Sequence, residues 1–262
     1  MDNILDLFMY TDIWALIFAR IVATIVMLPI ILETKIPATA TAVFSMILSL
    51  VVFFTIPVEE LVYQKTLLGF GLTMMKEVIV GIIIGFSIMI FFQVYLWMGQ
   101  MLSTQGGLAM SSIYDPSSNT QTPILGRFFA LSFGVLFTIT GGYHWFLAAF
   151  IETFRYIPVG QSVFNPGMAM TVIDALTIFF ELGFRLATPI LGIVLMIDVG
   201  LGVLARAAPQ MNMFVIGVPL KLLVILFLMT ILIEIFPGYN NMVIEHMKDN
   251  FYNMLEGLMY DY

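Results

Sequence analysis

The chain has 262 residues, of which 61% are hydrophobic and only 10% are charged. Because soluble globular domains contain about 45 to 50% apolar and about 25% charged residues, this composition argues against a water-soluble fold. The net charge of −7, with 10 scattered Lys and Arg residues, argues against nucleic acid as a partner, since phosphate binding needs clustered positive charge.

Six apolar segments are long enough to cross a bilayer as helices, which requires about 20 mostly apolar residues. In chain order they are 13–32, 38–56, 67–98, 128–151, 172–204 and 213–236. They lack the short alternation of polar and apolar residues that is typical of outer-membrane barrel strands. The sequence therefore predicts an all-α, hydrophobic membrane protein built from helical hairpins.

Charged residues inside these segments indicate contact with protein or water. Arg20 lies in the first segment, and Glu181, Arg185 and Asp198 lie in the fifth. A central Arg or Asp costs roughly 2.5 to 3.5 kcal/mol in insertion experiments. Glu181 and Arg185, four residues apart, are interpreted as a buried structural ion pair, with a proton relay as the alternative. Prolines interrupt three of the segments, which is also unusual for helices that face lipid.

An unusual polar stretch, residues 103–123, separates two apolar segments and contains one charge, Asp115. Gly106 and Gly107 leave its start conformationally free, and Asp115 followed by Pro116 favours a turn. Its apolar side chains include Leu108, Met110, Ile113 and Tyr114. The residues are compatible with a flexible flap that closes a hole and equally with an exposed connecting loop.

A tight helical hairpin is predicted around Pro209, because proline disfavours helical geometry at the residue before it. Arg206, at the end of the preceding helix, complements the negative end of the helix dipole. Gln210 and Asn212 at the tip either cap helix ends, which we favour, or line an assembly surface.

The last 20 residues predict an amphipathic helical tail. Its apolar positions recur at helical spacing, opposite a face of acidic side chains. Because that face is acidic, we expect the tail to dock on a partner protein and not on anionic lipid. The apolar positions are Met247, Phe251, Met254, Leu255, Leu258 and Tyr262, and the acidic ones are Glu245, Asp249 and Glu256.

No catalytic or metal-binding pattern is found in the sequence. The absence of cysteine excludes disulfides and thiolate metal sites, and the only two histidines, His144 and His246, are far apart. There is no His-Glu-x-x-His, no Gly-x-Ser-x-Gly and no phosphate-binding glycine-rich loop with Lys. We therefore expect no enzymatic activity and no cofactor.

The hairpin carries a family resemblance. Its Arg-Ala-Ala-Pro-Gln-Met-Asn run at 206–212, followed by Phe-Val-Ile-Gly at 214–217, closely resembles the signature of the FliR/SpaR/EscT family of type III secretion export-gate proteins. Phe-Ala-Arg at 18–20, Gln-Gly-Gly-Leu at 105–108 and Gly-Tyr-His at 142–144 occur in the same order as in that family. Two departures, Gly-Val-Pro at 217–219 and Gly-Gly-Tyr-His at 141–144, affect local packing only.

The resemblance implies one copy of this subunit joined to several copies of FliP and FliQ, with FlhB around the entrance. The assembly would be a channel for unfolded flagellar proteins in the flagellar basal body of the bacterial inner membrane, lying largely outside the membrane plane. Residues 1–166 would resemble FliP, residues 167–262 would resemble FliQ, and the loop 103–123 would be the plug of the closed gate. An injectisome homologue and a secondary transporter are the alternatives.

Overall fold

The computed structural model of the chain describes residues 2–28, 36–56, 66–108 and 124–259. These residues form helices joined by short turns, and no strand occurs among them, which confirms the predicted all-α class. The helices are α1 (Asp2–Met27), α2 (Ala38–Thr55), α3 (Leu67–Gln105), α4 (Ile124–Ile139), α5 (Gly142–Tyr156), α6 (Met168–Ala207) and α7 (Met213–Glu256).

Three of the helices are much longer than a bilayer is thick. α3, α6 and α7 contain 39, 40 and 44 residues, or about 58 to 66 Å at a rise of 1.5 Å per residue. The hydrocarbon core of a bilayer measures about 30 Å. These helices must therefore tilt strongly or extend beyond the hydrocarbon, whereas α2, with 18 residues, matches its thickness.

Four of the described helices are long and apolar enough to cross a membrane: α2, α3, α6 and the Val215–Glu256 part of α7. The predicted span at 128–151 is not one straight helix: α4 and α5 together are apolar enough to cross a membrane, but a bend of 74° separates them, as in a broken span or a re-entrant loop. The break occurs at Gly141, whose φ of 77° is left-handed. Such a residue ends a helix, and glycine adopts the conformation without a steric penalty.

Two of the prolines that were expected to interrupt the apolar segments lie inside continuous helices. α6 continues through Pro189, and α7 continues through Pro219 and Pro237. The third proline of the predicted interruptions, Pro29, lies outside the described residues. As a result, the predicted sixth span and the predicted tail belong to one continuous helix, α7.

Two compact units are built from interleaved parts of the chain. The first unit comprises Met1–Ile90, Gly141–Leu176 and Met247–Tyr262, and the second comprises Phe91–Thr140 and Thr177–His246. α3, α6 and α7 each contribute to both units. The two units therefore do not follow the division at residue 166, and the likeness of the two chain halves to FliP and FliQ stays a prediction.

The amphipathic tail packs within the first unit. Its apolar side chains from Met247 to Leu258 are buried, and its acidic face is exposed. The ring of Phe251 packs edge-on against Trp145 of α5, with centroids 5.4 Å apart. The main-chain N–H of Val163 donates to the carbonyl of Leu258 at 3.4 Å. The predicted amphipathicity is confirmed, and this chain itself covers the apolar face. Docking of the exposed acidic face on a partner protein stays a prediction.

The second unit has an aromatic core. Tyr95 of α3 stacks on Phe133 of α4 at 4.5 Å, and its hydroxyl is hydrogen-bonded to the side-chain oxygen of Asn240 at 3.0 Å. α3 and α4 come into direct backbone contact, since a Cβ on Gly99 would overlap the backbone of Gly126. Packed aromatic rings, together with glycines that let the two backbones touch, thus fix the arrangement of α3 and α4.

Candidate functional site

A buried ion pair lies at the centre of the first unit. The Nε of Arg20, in α1, donates to Oε2 of Glu77, in α3, at 2.5 Å, and both side chains are fully buried. Nη1 of Arg20 donates to the carbonyl of Ile157 at 2.9 Å, and the guanidinium lies 4.4 Å from the ring centroid of Phe154. The other carboxylate oxygen, Oε1, accepts from the main-chain N–H of Gly160 at 2.8 Å.

These contacts tie α1, α3 and the turn after α5 together. Of the two surroundings expected for Arg20, protein or water, the structure places protein around it, and its partner is a residue that the sequence reasoning missed. Glu77 and its neighbour Lys76 are the only charged residues of α3. A lone carboxylate in one apolar helix and a lone arginine in another could have suggested the pairing, because each would otherwise be buried without an opposite charge.

Close backbone packing surrounds the ion pair. A Cβ on Gly81 would overlap the carbonyl oxygen of Arg20. The hydroxyl of Thr24 donates at 3.0 Å to the carbonyl of Gly81 across the α1–α3 interface. Small residues that let helices approach, with hydroxyls bridging them, are typical of helix packing in membrane proteins.

The base of the predicted plug packs on α7 within the second unit. Gly106 is buried, and a Cβ on it would lie 2.6 Å from Cδ1 of Ile225. Gly107 has a φ of 79°, and a Cβ there would lie 2.9 Å from Cγ1 of Val218. The two glycines therefore end α3 in a left-handed cap pressed against α7. Half-buried Leu108 follows them.

The remaining predicted plug residues lie outside the described part of the chain. They are Met110, Ile113, Tyr114, Asp115 and Pro116. Their placement in a pore stays a prediction. The structure shows where the loop leaves α3. Gly106 and Gly107, which were expected to act as a hinge, end α3 and pack against α7.

A second ion pair joins α6 to α7. The carboxylate of Asp198 pairs with Nζ of Lys221, and both side chains are partly exposed. The pair borders a shallow cavity of about 240 Å³ whose wall also includes Val218, the residue that contacts Gly107. The sequence signal for this pair was available: the two residues stand 11 positions before and 12 positions after Pro209, so the hairpin brings them opposite each other.

The predicted buried pair of Glu181 and Arg185 is not formed in this chain. Both side chains are exposed, and no ion pair joins them in the described structure. The i, i+4 spacing does place them on one face of α6, but that face points away from the core, where Leu182 and Leu186 are buried instead. The two charges neighbour Phe184, whose half-exposed ring packs edge-on against Trp97 of α3, with centroids 4.9 Å apart.

The predicted hairpin is confirmed. α6 ends at Ala207 and α7 begins at Met213. The N–H of Met211 donates to the carbonyl of Ala208 at 3.1 Å, and the N–H of Val215 donates to the carbonyl of Asn212 at 3.1 Å. Main-chain hydrogen bonds thus close the turn. The tip displays three exposed polar residues, Arg206, Gln210 and Asn212, together with exposed Pro209.

Comparison with known proteins gives matches over most of the chain. Residues 12–247 match the model of the family described as bacterial export proteins, family 1. The flagellar biosynthetic protein FliR of Escherichia coli strain K12 is 27% identical over 247 residues, which cover 94% of this chain and 91% of that protein. FliR of Bacillus subtilis strain 168 is 28% identical over 260 residues, covering 95% and 97%. The surface presentation of antigens protein SpaR of Shigella flexneri is 32% identical over 159 residues, covering 60% and 61%.

Proposed function

The chain belongs to the family of bacterial export proteins, family 1, and from this premise we propose that it is a subunit of the flagellar type III protein export gate. Membership confirms the resemblance predicted from the hairpin and supports a type III export-gate subunit; the family is a structural component of the gate and not an enzyme family. The flagellar assignment is supported by the FliR relatives of Escherichia coli and Bacillus subtilis, which align over 94% and 95% of this chain. The secretion-system relatives SpaR and SsaT align over 60% and 77% of it. An injectisome homologue is the alternative.

One observation carries the proposal beyond the family: the chain alone leaves charges exposed on an apolar helix. Glu181 and Arg185 are exposed on α6 and neighbour Phe180 and Phe184, whose rings pack edge-on against Trp97 and stay about half exposed. Lipid would solvate the rings but not the charges, and water would solvate the charges but not the rings. A neighbouring protein surface satisfies both. We infer that this face binds subunits of the FliP and FliQ type.

The proposed assembly contains one copy of this chain, several FliP-type and FliQ-type subunits, and an FlhB-type protein at the entrance. It is located in the bacterial inner membrane at the flagellar basal body and conducts unfolded export substrates. The length of α3, α6 and α7 supports a gate that extends beyond the hydrocarbon. The division into a FliP-like part, 1–166, and a FliQ-like part, 167–262, belongs to the same proposal.

The loop 103–123 is proposed to be the plug of the closed gate. A protein-sized channel must hold back ions when idle, and an apolar constriction does so by excluding water. Leu108, Met110, Ile113 and Tyr114 supply apolar side chains for such a constriction. The packing of Gly107 on Val218 supports this role, because it fixes the direction in which the loop leaves α3.

Co-expression tests the assembly. The tagged chain, produced with FliP-type and FliQ-type subunits, should purify as one stable complex with a single copy of the chain, measured by native mass spectrometry. Omitting either partner is the matched control and should leave the chain aggregated. A monodisperse chain that transports a small solute by itself would overturn the proposal in favour of a secondary transporter.

Shortening the loop tests the plug separately. Deleting residues 110–120 should leave the complex intact, because Gly106 and Gly107, which end α3 against α7, are retained. Cells that carry the shortened gate should leak ions, measured as loss of membrane potential. A shortened gate that stays as tight as the original and exports normally would make the loop a connector only.

A further inference from the structure

The facing sides of α6 and α7 near the hairpin combine one ion pair with small or apolar residues. Within the described part of these two helices, Asp198 and Lys221 form the one ion pair that joins them. A Cβ on Gly217 would lie 2.9 Å from Cδ1 of Leu201, so the helices approach closely here. The residues that share the cavity wall with the pair are Leu201, Gly202, Ala205, Gly217 and Val218.

Stability alone does not account for an ion pair at this place. Both side chains are partly exposed, and such pairs add little to stability because water screens them. A polar contact within an apolar helix interface is best known as a means of fixing register. Sliding α7 along α6 by one helical turn, about 5.4 Å, would separate the charges beyond the reach of an ion pair, about 4 Å. The pair is therefore compatible with one register of the hairpin.

The register of α7 determines which side chains meet the end of α3. Lys221 stands three residues after Val218 and four before Ile225, so the three side chains share one face of α7. A Cβ on Gly107 would lie 2.9 Å from Cγ1 of Val218. A Cβ on Gly106 would lie 2.6 Å from Cδ1 of Ile225. Along α7, the ion pair thus lies between the two contacts that hold the glycine cap of α3.

We propose that Asp198 and Lys221 are positioning residues: their ion pair sets the register of α7 against α6 and thereby holds Val218 and Ile225 against the end of α3. The inference deepens the proposed function and rests on it in one respect, because the loop that leaves α3 at this point is the proposed plug. Loss of the register displaces the start of that loop.

Disulfide formation between α3 and α7 tests the register directly. The chain has no cysteine, so Gly107→Cys combined with Val218→Cys supplies one possible disulfide. A Cβ on Gly107 would lie 3.5 Å from Cβ of Val218, and disulfides join Cβ atoms about 3.5 to 4.5 Å apart. Membranes that contain the chain and its partners are treated with a mild oxidant, and the loss of free thiols gives the rate. Failure of this parent variant to form the disulfide overturns the inference.

Reversing one charge should slow the disulfide, and reversing both should restore it. Adding Asp198→Lys to the two cysteines puts like charges opposite each other, and the rate should fall by about fivefold. Adding Lys221→Asp as well should recover most of the rate. Glu234→Lys, the same charge change at an exposed position of α7, is the matched control and should leave the rate unchanged. An unchanged rate with Asp198→Lys, no recovery in the swap, or equal slowing by Glu234→Lys overturns the inference.

A second measurement leaves the glycine cap intact. Val218→Cys alone carries one thiol, which is half-buried against Gly107 in the present register. A water-soluble maleimide should modify this thiol about fivefold faster when Asp198→Lys is added, and the charge swap should slow the modification again. The same slow rate in all three backgrounds overturns the inference even if Gly107→Cys disturbs the fold.

Ion leakage separates this inference from the proposed plug. It is measured in cells that carry Asp198→Lys without cysteines. Slower disulfide formation together with leakage supports both proposals. Slower disulfide formation without leakage supports the register pair and contradicts the plug, whereas leakage with an unchanged disulfide rate overturns the register pair. If no complex forms with the partners, the disulfide rates are measured on membranes that contain this chain alone.

Discussion

Two pairs of opposite charges lie on apolar helices of this chain, and their surroundings are opposite. Arg20 and Glu77 are fully buried, paired with each other, and bonded to the main chain at Ile157 and Gly160. Glu181 and Arg185 are exposed and unpaired with each other. The first pair is completed by this chain's own fold, and we propose that a partner subunit completes the second. An intramembrane charge thus predicts that a partner exists but not on which chain.

The largest effect is expected at the buried pair, where the comparison predicts loss of the chain's own stability. Arg20→Leu or Glu77→Gln leaves the other group buried without an opposite charge, which costs about 3 to 5 kcal/mol. The double variant Arg20→Leu with Glu77→Leu should recover part of that loss. The loss and its partial recovery are measured by thermal unfolding and by the yield of the purified complex.

Lys76→Gln is the matched control for the buried pair, because Lys76 neighbours Glu77 in α3 but is exposed. It should behave like the unsubstituted protein. If Lys76→Gln and Glu77→Gln lowered the stability of the complex equally, α3 would tolerate no substitution at this point. The effect of Glu77→Gln could then not be attributed to its burial.

The next effect concerns the outward pair, where the comparison predicts loss of assembly and not of folding. Arg185→Glu places two like charges on the face of α6 that we assign to partner subunits, and an unpaired charge buried at an interface costs about 2 to 5 kcal/mol. Co-purified partner per tagged chain should fall by at least tenfold, since about 1.4 kcal/mol corresponds to a factor of 10. Membrane insertion of the chain should be unchanged.

A substitution on the same face that leaves the charge unchanged tests whether assembly depends on the charged side chains or on the apolar ones. Phe184→Leu keeps an apolar side chain beside Glu181 and Arg185 and should retain the partners. If Arg185→Glu assembles normally but export stops, the proton-relay alternative for Glu181 and Arg185 gains support instead.

A smaller effect is expected at Gly107, where an uncharged packing contact, and not an ion pair, holds α3 against α7. Gly107→Ala puts a Cβ in left-handed backbone, which costs roughly 1 to 2 kcal/mol, and within 2.9 Å of Val218. The start of the plug should be displaced, so ion leakage should rise while assembly persists. Gly134→Ala, in α4 with open space around it, is the matched control and should not leak.

Much of the fold could be predicted from the sequence because hydrophobic length is a local property. The hairpin at Pro209 and the amphipathic pattern of the tail were predicted correctly, since turn chemistry and helical spacing are visible along the chain. The break at Gly141 was missed, because glycine-glycine pairs inside apolar segments are compatible with a continuous helix. Local sequence does not show which surface packs on a given helix face. The tail was therefore expected to dock on a partner, and Glu181 was expected to be buried, although it is exposed in this chain.

The smallest effect is expected at the third pair, Asp198 and Lys221, which lies between the two extremes. Its side chains are 37% and 18% exposed, so water screens their attraction, and pairs of this kind contribute about 0 to 1 kcal/mol. Asp198→Asn should therefore shift the melting temperature of the complex little, and Lys221→Gln should match it. The prediction ranks the three pairs by burial in this chain alone. If Asp198→Asn instead weakens the complex as much as Arg185→Glu does, while insertion of the chain stays normal, the pair is covered by a partner in the assembly. The protein-binding surface would then extend along α6 from Glu181 to the hairpin, and burial within the chain would no longer decide which pair matters most.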